Sequence, residues 1–196
     1  LSLHDALPIF EISCASADAM GVLVRARAEL GPEAVLGVGA VVTERDVVRV
    51  EQAGASFVAT VGLAPALAEA VRLGLPALAG ALTPTEVVSA GLAGVAAVKL
   101  FPAPLGGPRY LAALRESLPE VPFVPSGAVD LASVPAYLAA GAVAVDVGEP
   151  LLGDASHGGD LDALRDRAAA FLAAVDGARD AAGDAHGAVE RRVRTA

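Results

Sequence analysis

Between residue 11 and about residue 150 the chain repeats one theme: a short Val/Ala-rich run, then a stretch with helical spacing. The runs lie at Phe10–Ser13, Ala34–Val42, Ser56–Val61, Pro76–Leu82, Val95–Phe101, Pro122–Val129 and Ala142–Gly148, and each predicts a strand. The segments between them predict helices over Asp18–Leu30, Glu44–Ala53, Ala66–Leu73, Thr85–Ala93, Pro108–Leu118 and Leu131–Ala140. The apolar runs are continuous rather than alternating, which is the pattern of a parallel sheet covered by helices on its faces. Thr83-Pro84-Thr85-Glu86 reads as a capping box with proline at the first helical position. Leu30-Gly31-Pro32 ends the helix before it. Short loops joining these elements predict an α/β fold, either a (β/α) barrel or a doubly wound sheet. No G-x-G-x-x-G fingerprint opens a helix, which weighs against the dinucleotide-binding form of the second.

A barrel has eight strands, and the unit needed to complete the count belongs before residue 10. Residues 1–9, Leu1-Ser2-Leu3-His4-Asp5-Ala6-Leu7-Pro8-Ile9, resemble the translation of a sequencing-adapter oligonucleotide and are set apart from the fold like a fusion scar, the alternative being a native N-terminal strand. The expectation is therefore a barrel domain over residues 10–175 whose native first β/α unit is truncated. Leu161–Val175 is its expected closing helix. Asp176–Ala196, made of Ala, Gly, Asp and Arg with few large apolar groups, is expected to be a flexible tail or frayed helix.

Composition narrows the chemistry. With 196 residues and 55% hydrophobic residues the chain can bury one sizeable core. Its uncharged stretches, such as Gln52–Ala68 and Leu131–Val145, are too short and too rich in Pro and Gly to predict a membrane span. The net charge of −9 argues against a nucleic-acid partner. A single cysteine, Cys14, forbids an intrachain disulfide and a cysteine-based zinc site. The histidines His4, His157 and His186 lie far apart, so no metal ligand set is expected. The reading is a cytoplasmic protein acting on a small molecule without metal or cofactor.

One detail is sharper. Thirteen of the fourteen basic residues are arginine; the single lysine, Lys99, sits in the apolar run Val95–Pro102. Its bland explanation is chance in an arginine-preferring chain. The chemical explanation is that this position needs an amine able to lose a proton, which arginine cannot do and a buried lysine can. In a barrel the chemistry lies at the carboxyl ends of strands. Glu11, Ser13, Gly37–Ala40, Thr60, Thr83, Lys99, Phe101, Ser126, Gly127, Asp146, Gly148 and Glu149 stand at those ends. A free amine attacks a ketone to form an imine, an electron sink that lets a neighbouring carbon–carbon bond break or form. Glu11 could move the protons, directly or through water. Its structural alternatives are an ion pair with Lys99 or an exposed strand end.

Lys99-Leu100-Phe101-Pro102-Ala103 resembles the K-(F/L)-F-P-A signature of the 2-keto-3-deoxy-6-phosphogluconate and 4-hydroxy-2-oxoglutarate aldolases. Leu82–Glu86 is similar to that family's T-P-T-E turn, Gly37–Val41 to its G-A-G-T-V strand, and Pro125–Ala128 to its P-T-G-G turn. Gly106–Leu111 resembles the G-G-x-x-Y-L helix start, and Phe10–Ser13 resembles the I-E-V-T strand that carries the family's glutamate. The motifs follow the family's order over residues 10–152. The resemblance implies a trimeric (β/α)8 TIM barrel of carbohydrate metabolism, a class I lyase without metal. It implies Lys99 as the amine that binds pyruvate or a 2-keto acid, and Glu11 as general acid/base. It further implies Phe101 packed against the imine, Ser126 and Gly127 beside the pyruvate carboxylate, and Gly148 in the final glycine turn.

Several positions depart from the pattern. Ala15 stands where the family commonly has arginine, Ala40 where it has threonine, and Val61 where it has proline; Ser126 and Ala128 replace Thr and Gly of P-T-G-G. The family's V-G-G-S phosphate turn reads Val147-Gly148-Glu149-Pro150. Pro150 has no amide hydrogen and Glu149 repels a phosphate dianion, so weak phosphate recognition is expected. Two other readings compete with an active pyruvate-class aldolase. One is a non-catalytic barrel that binds a small acid or a protein partner. The other is a phosphate-binding synthase or epimerase, which the altered turn disfavours.

Overall fold

The computed structural model describes residues 9–182; the adapter-like residues 1–8 and the tail beyond 182 lie outside the described residues. Six strands form one sheet in chain order: β1 (Ile9–Ser13), β2 (Val35–Gly39), β3 (Phe57–Ala59), β4 (Ala77–Ala81), β5 (Ala97–Leu100) and β6 (Phe123–Pro125). The pairs β1–β2, β2–β3 and β3–β4 are parallel. The intervening helices are α1 (Ala19–Leu30), α2 (Glu44–Gln52), α3 (Pro65–Leu73), α4 (Pro84–Leu92) and α5 (Gly107–Ser117). After β6 come α6 (Val134–Ala139), α7 (Glu149–Leu152) and α8 (Leu161–Ala182). The fold is α/β, as the continuous apolar runs predict. Contacts divide it into two compact units, residues 9–99 and 100–182.

In the first unit, side chains of β2 alternate cleanly. Leu36 and Val38 are fully buried, as are Val47 and Val50 on α2 and Val58 on β3. Each such side chain contributes about 1.5–3 kcal/mol by leaving water. On the opposite face β2 carries Gly37 and Gly39. These glycines leave room: a β-carbon on Gly37 would lie 2.2 Å from the Phe57 ring. The helix starts are local chemistry. The Thr43 side chain accepts from the Asp46 amide at α2. At α4 the capping box forms as its sequence predicts: Glu86 Oε2 accepts from the Thr83 amide at 2.7 Å and the Thr83 hydroxyl accepts from the Glu86 amide. Those backbone donors hold the Glu86 carboxyl below its ordinary range.

The second unit corrects three expectations. Ala142–Gly148 is not a strand. Its Val143 amide donates to Phe123 and its Asp146 amide to Pro125. A step of three positions on one side therefore matches a step of two on the other, and this bulge-like mismatch breaks the regular ladder. The helix expected over 131–140 is shorter, because Asp130 and Ser133 form a side-chain turn and Pro135 sets the start. The closing helix α8 runs to Ala182 rather than ending at Val175. Among the described residues no helix is long and apolar enough to cross a membrane.

Candidate active site

Glu11 is the central residue of β1 and Lys99 the penultimate residue of β5. The Lys99 ammonium donates to both carboxylate oxygens of Glu11, at 2.6 Å to Oε1 and 2.8 Å to Oε2. The Lys99 side chain is 10% exposed and that of Glu11 23%. The pair is thus in direct contact, closer than the water-mediated arrangement the sequence allows. It is also the ion pair that a structural explanation of Glu11 requires, so contact alone does not choose between the two.

The contact says something about the first unit. β1 and β5 are four positions apart in the sheet, about 19 Å in a flat sheet at the usual strand spacing. Two side chains cannot bridge that distance, so the sheet curls until the inner faces of β1 and β5 meet. Gly39 is part of the arrangement, since a β-carbon there would lie 2.0 Å from Glu11 Oε1. Sequence reasoning places Gly39 at a strand end without seeing this role; the signal is glycine at alternate positions, 37 and 39, on one strand face. Cys14, just past β1, is no competing nucleophile: burial pushes its thiol up and away from the thiolate form.

The remaining candidates lie in the second unit. Phe101 follows β5, and its ring packs on Gly127: a β-carbon at Gly127 would meet the ring at 2.7 Å. Gly127 has φ 83° and Ala128 has φ 57°, so the turn after β6 holds two successive left-handed residues, one of them not glycine. Ser126 is 4% exposed. Its hydroxyl donates to Asp146 Oδ2 at 2.6 Å, a short charge-assisted bond. Asp146 is a visible strand-end carboxylate in the sequence, but its attachment to Ser126 is not legible there. Gly148 precedes the four-residue α7, and a β-carbon there would meet nothing within 4 Å. Gly148 is therefore not required by close packing, unlike Gly39 and Gly127. No group of three or more His, Cys, Asp or Glu side chains is gathered to hold a metal ion among the described residues.

A parallel α/β sheet that presents a shielded amine in contact with a carboxylate has the equipment of an enzyme that works through an amine nucleophile. The comparisons name the family. The model described as KDPG and KHG aldolase matches residues 3–166, and the chain belongs to that family. Over 144 residues it is 32% identical to a probable 2-dehydro-3-deoxy-6-phosphogalactonate aldolase of Rhizobium meliloti, a match covering 72% of this chain and 66% of that protein. Over 159 residues it is 33% identical to the KHG/KDPG aldolase of Escherichia coli, covering 80% and 73%. The first of these matches spans just under two thirds of its relative. A solved structure titled "Native KDPGal structure" superposes with a TM-score of 0.85 at 25% identity, over 91% of this chain and 86% of that one. The relatives are named as aldolases, which are carbon–carbon lyases.

Proposed function

We propose that the protein is a class I aldolase that reversibly cleaves a 2-keto-3-deoxy or 4-hydroxy-2-keto acid to pyruvate and an aldehyde. The observation that carries this reading is the Lys99–Glu11 contact at 2.6 and 2.8 Å in a family of aldolases. A carboxylate this close favours the ammonium, so the resting pair is not yet a nucleophile. Glu11 sits where it can take the proton. The free Lys99 amine then adds to the ketone carbon; Glu11 returns its proton to the former ketone oxygen, which leaves as water and gives a protonated imine, so Glu11 is again a carboxylate. Glu11 removes the proton of the 4-hydroxyl; the C3–C4 bond breaks, the aldehyde leaves, and the electron pair passes into the imine to give an enamine. Protonation at C3 and hydrolysis release pyruvate and restore the amine. Each step uses only protons and water, so the chemistry calls for no metal or cofactor.

In this reading Phe101, Ser126, Gly127 and Gly148 are the substrate-side residues. Residues 10–175 form one (β/α)8-type barrel domain, a reading supported by the inward curl that brings β1 to β5. The protein acts in the cytoplasm as a homotrimer in carbohydrate breakdown, as its family resemblance suggests. Phosphate recognition is weak, because Glu149 adds a negative charge and Pro150 withdraws an amide at the turn where the family has glycine and serine.

The experiment is a cleavage assay of purified protein with 4-hydroxy-2-oxoglutarate and with 2-keto-3-deoxygluconate, with and without the 6-phosphate. Pyruvate release that disappears in Lys99→Arg supports the reading. Equal release from wild type and Lys99→Arg removes it, and a strong preference for the phosphorylated sugar acid removes the phosphate claim. Sedimentation of the same sample reports the trimer.

A further inference from the structure

Ser13, two residues past Glu11, is the one hydroxyl-bearing residue in the six described strands, and the reaction above does not use it. Side chains two apart on a strand share a face. Ser13 therefore stands on the face of Glu11, one pleat nearer the carboxyl end. Its register partner on β2 is Gly39. The Glu11 carboxylate occupies the space of the missing Gly39 side chain, with Oε1 2.0 Å from where a β-carbon would be. Neighbouring strands lie about 4.8 Å apart, which puts Glu11 Oε1 within about 7 Å of the Ser13 β-carbon. One ligand oxygen between the two side chains can hydrogen-bond both. Ser13 is exposed, and its Oγ accepts from the Ala15 amide at 3.3 Å. Its proton meets no acceptor among the described residues. The hydroxyls that follow β2, β3 and β4 are instead engaged in the fold. Thr43 donates to Asp46 Oδ2 at 2.6 Å and Thr83 to Glu86 Oε2 at 2.8 Å. Thr60 is buried and accepts from the Gly80 amide at 3.2 Å.

Resting on the aldolase reading, we propose that Ser13 donates a hydrogen bond to the 4-hydroxyl oxygen of the substrate, the oxygen whose proton Glu11 removes. A hydroxyl oxygen has two lone pairs and one proton. With one lone pair held by Ser13, the proton is directed to Glu11. Negative charge builds on that oxygen as the proton leaves, and the Ser13 hydrogen bond stabilises it. An oxygen lone pair then forms the aldehyde carbonyl while the C3–C4 electron pair passes into the imine. Ser13 keeps its own proton throughout. Pyruvate has no 4-oxygen, so Ser13 acts on the carbon–carbon step and not on capture of the keto acid by Lys99.

The test uses the full chain and separates the two steps. Cleavage is measured with whichever of 4-hydroxy-2-oxoglutarate and 2-keto-3-deoxygluconate the wild type cleaves faster. Exchange of the pyruvate methyl hydrogens in heavy water reports imine and enamine formation at Lys99 and Glu11 with no aldehyde present. Ser13→Ala is expected to lower kcat for cleavage about tenfold or more, the size of a hydrogen bond to a charged group. Methyl exchange is expected to keep its wild-type rate in the same variant. Ser13→Thr retains the hydroxyl and is expected to restore cleavage to near the wild-type rate. Three results overturn the proposal: unchanged cleavage in Ser13→Ala, an equal fall in cleavage and exchange, or no rescue by Ser13→Thr. A wild-type protein that cleaves neither acid, or that exchanges no methyl hydrogen, overturns the aldolase reading itself.

Discussion

Glu11 on β1 and Asp146 in the irregular segment after α6 both carry carboxylates, and they meet different partners. Glu11 faces an ammonium, so its charge is neutralised and a proton can pass between the two groups. Asp146 accepts a hydrogen bond from the Ser126 hydroxyl at 2.6 Å, and this bond sets the direction of the Ser126 proton. In the proposed reaction the same functional group serves proton transfer at Glu11, whereas at Asp146 it orients a neighbouring hydroxyl. Glu86 is a third case: backbone amides satisfy it, its carboxyl is held low, and its role is to start a helix. The partner decides the role of each carboxylate.

The strongest way to break the comparison is at the Glu11–Lys99 pair. Lys99→Arg keeps the positive charge but cannot release a proton, so cleavage should fall by about 10⁴-fold or more while the fold persists. Glu11→Gln keeps the shape of the acceptor and loses the base; kcat is expected to drop by about 10²–10⁴-fold. Retained turnover in either variant would reduce the pair to a structural ion pair. Gly39→Ala attacks the same pair without touching it. The added carbon needs space that the Glu11 carboxylate occupies, so activity should fall and stability should drop by about 1–3 kcal/mol. Wild-type kinetics in that variant would show that Glu11 has room to work elsewhere.

Smaller effects sharpen the other two carboxylates. Ala128 lies in the left-handed region next to Ser126 and Gly127. A left-handed non-glycine residue costs roughly 1–2 kcal/mol, and glycine's extra freedom in the unfolded chain offsets part of any relief. Ala128→Gly should therefore raise stability by up to about 1 kcal/mol in denaturant unfolding; a loss would mean that the alanine methyl makes contacts that matter. At the capping box, Thr83→Ala is expected to cost about 1 kcal/mol. Glu86 has a folded pKa below its unfolded one, so its contribution is present above the unfolded value of about 4.3 and is lost as pH falls through the folded one. The melting difference between wild type and Glu86→Gln should be flat at neutral pH and shrink below about pH 4; a difference that grows in acid would reverse the assignment.

Much of the fold was legible because its elements are local. Continuous apolar runs marked the six strands, and Thr83–Glu86 marked a helix start to the residue. The segment 142–148 was misread because an apolar run carries no information on whether its hydrogen bonds keep step with the neighbouring strand. The site was legible in a different way. Nothing local links Glu11 to Lys99, 88 residues away. They were joined by the oddity of a single lysine in an arginine-rich chain and by motif resemblance. Asp146 had neither aid: its partner lies 20 residues back, and only the folded backbone brings the two together.

In the proposed reaction the Lys99 amine captures a keto acid. Borohydride reduction in the presence of saturating pyruvate, followed by digestion and mass analysis, tests it most directly. One reduced pyruvyl adduct is expected, located on Lys99 and greatly diminished in Glu11→Gln. Unmodified Lys99 in the wild-type protein under those conditions would contradict it.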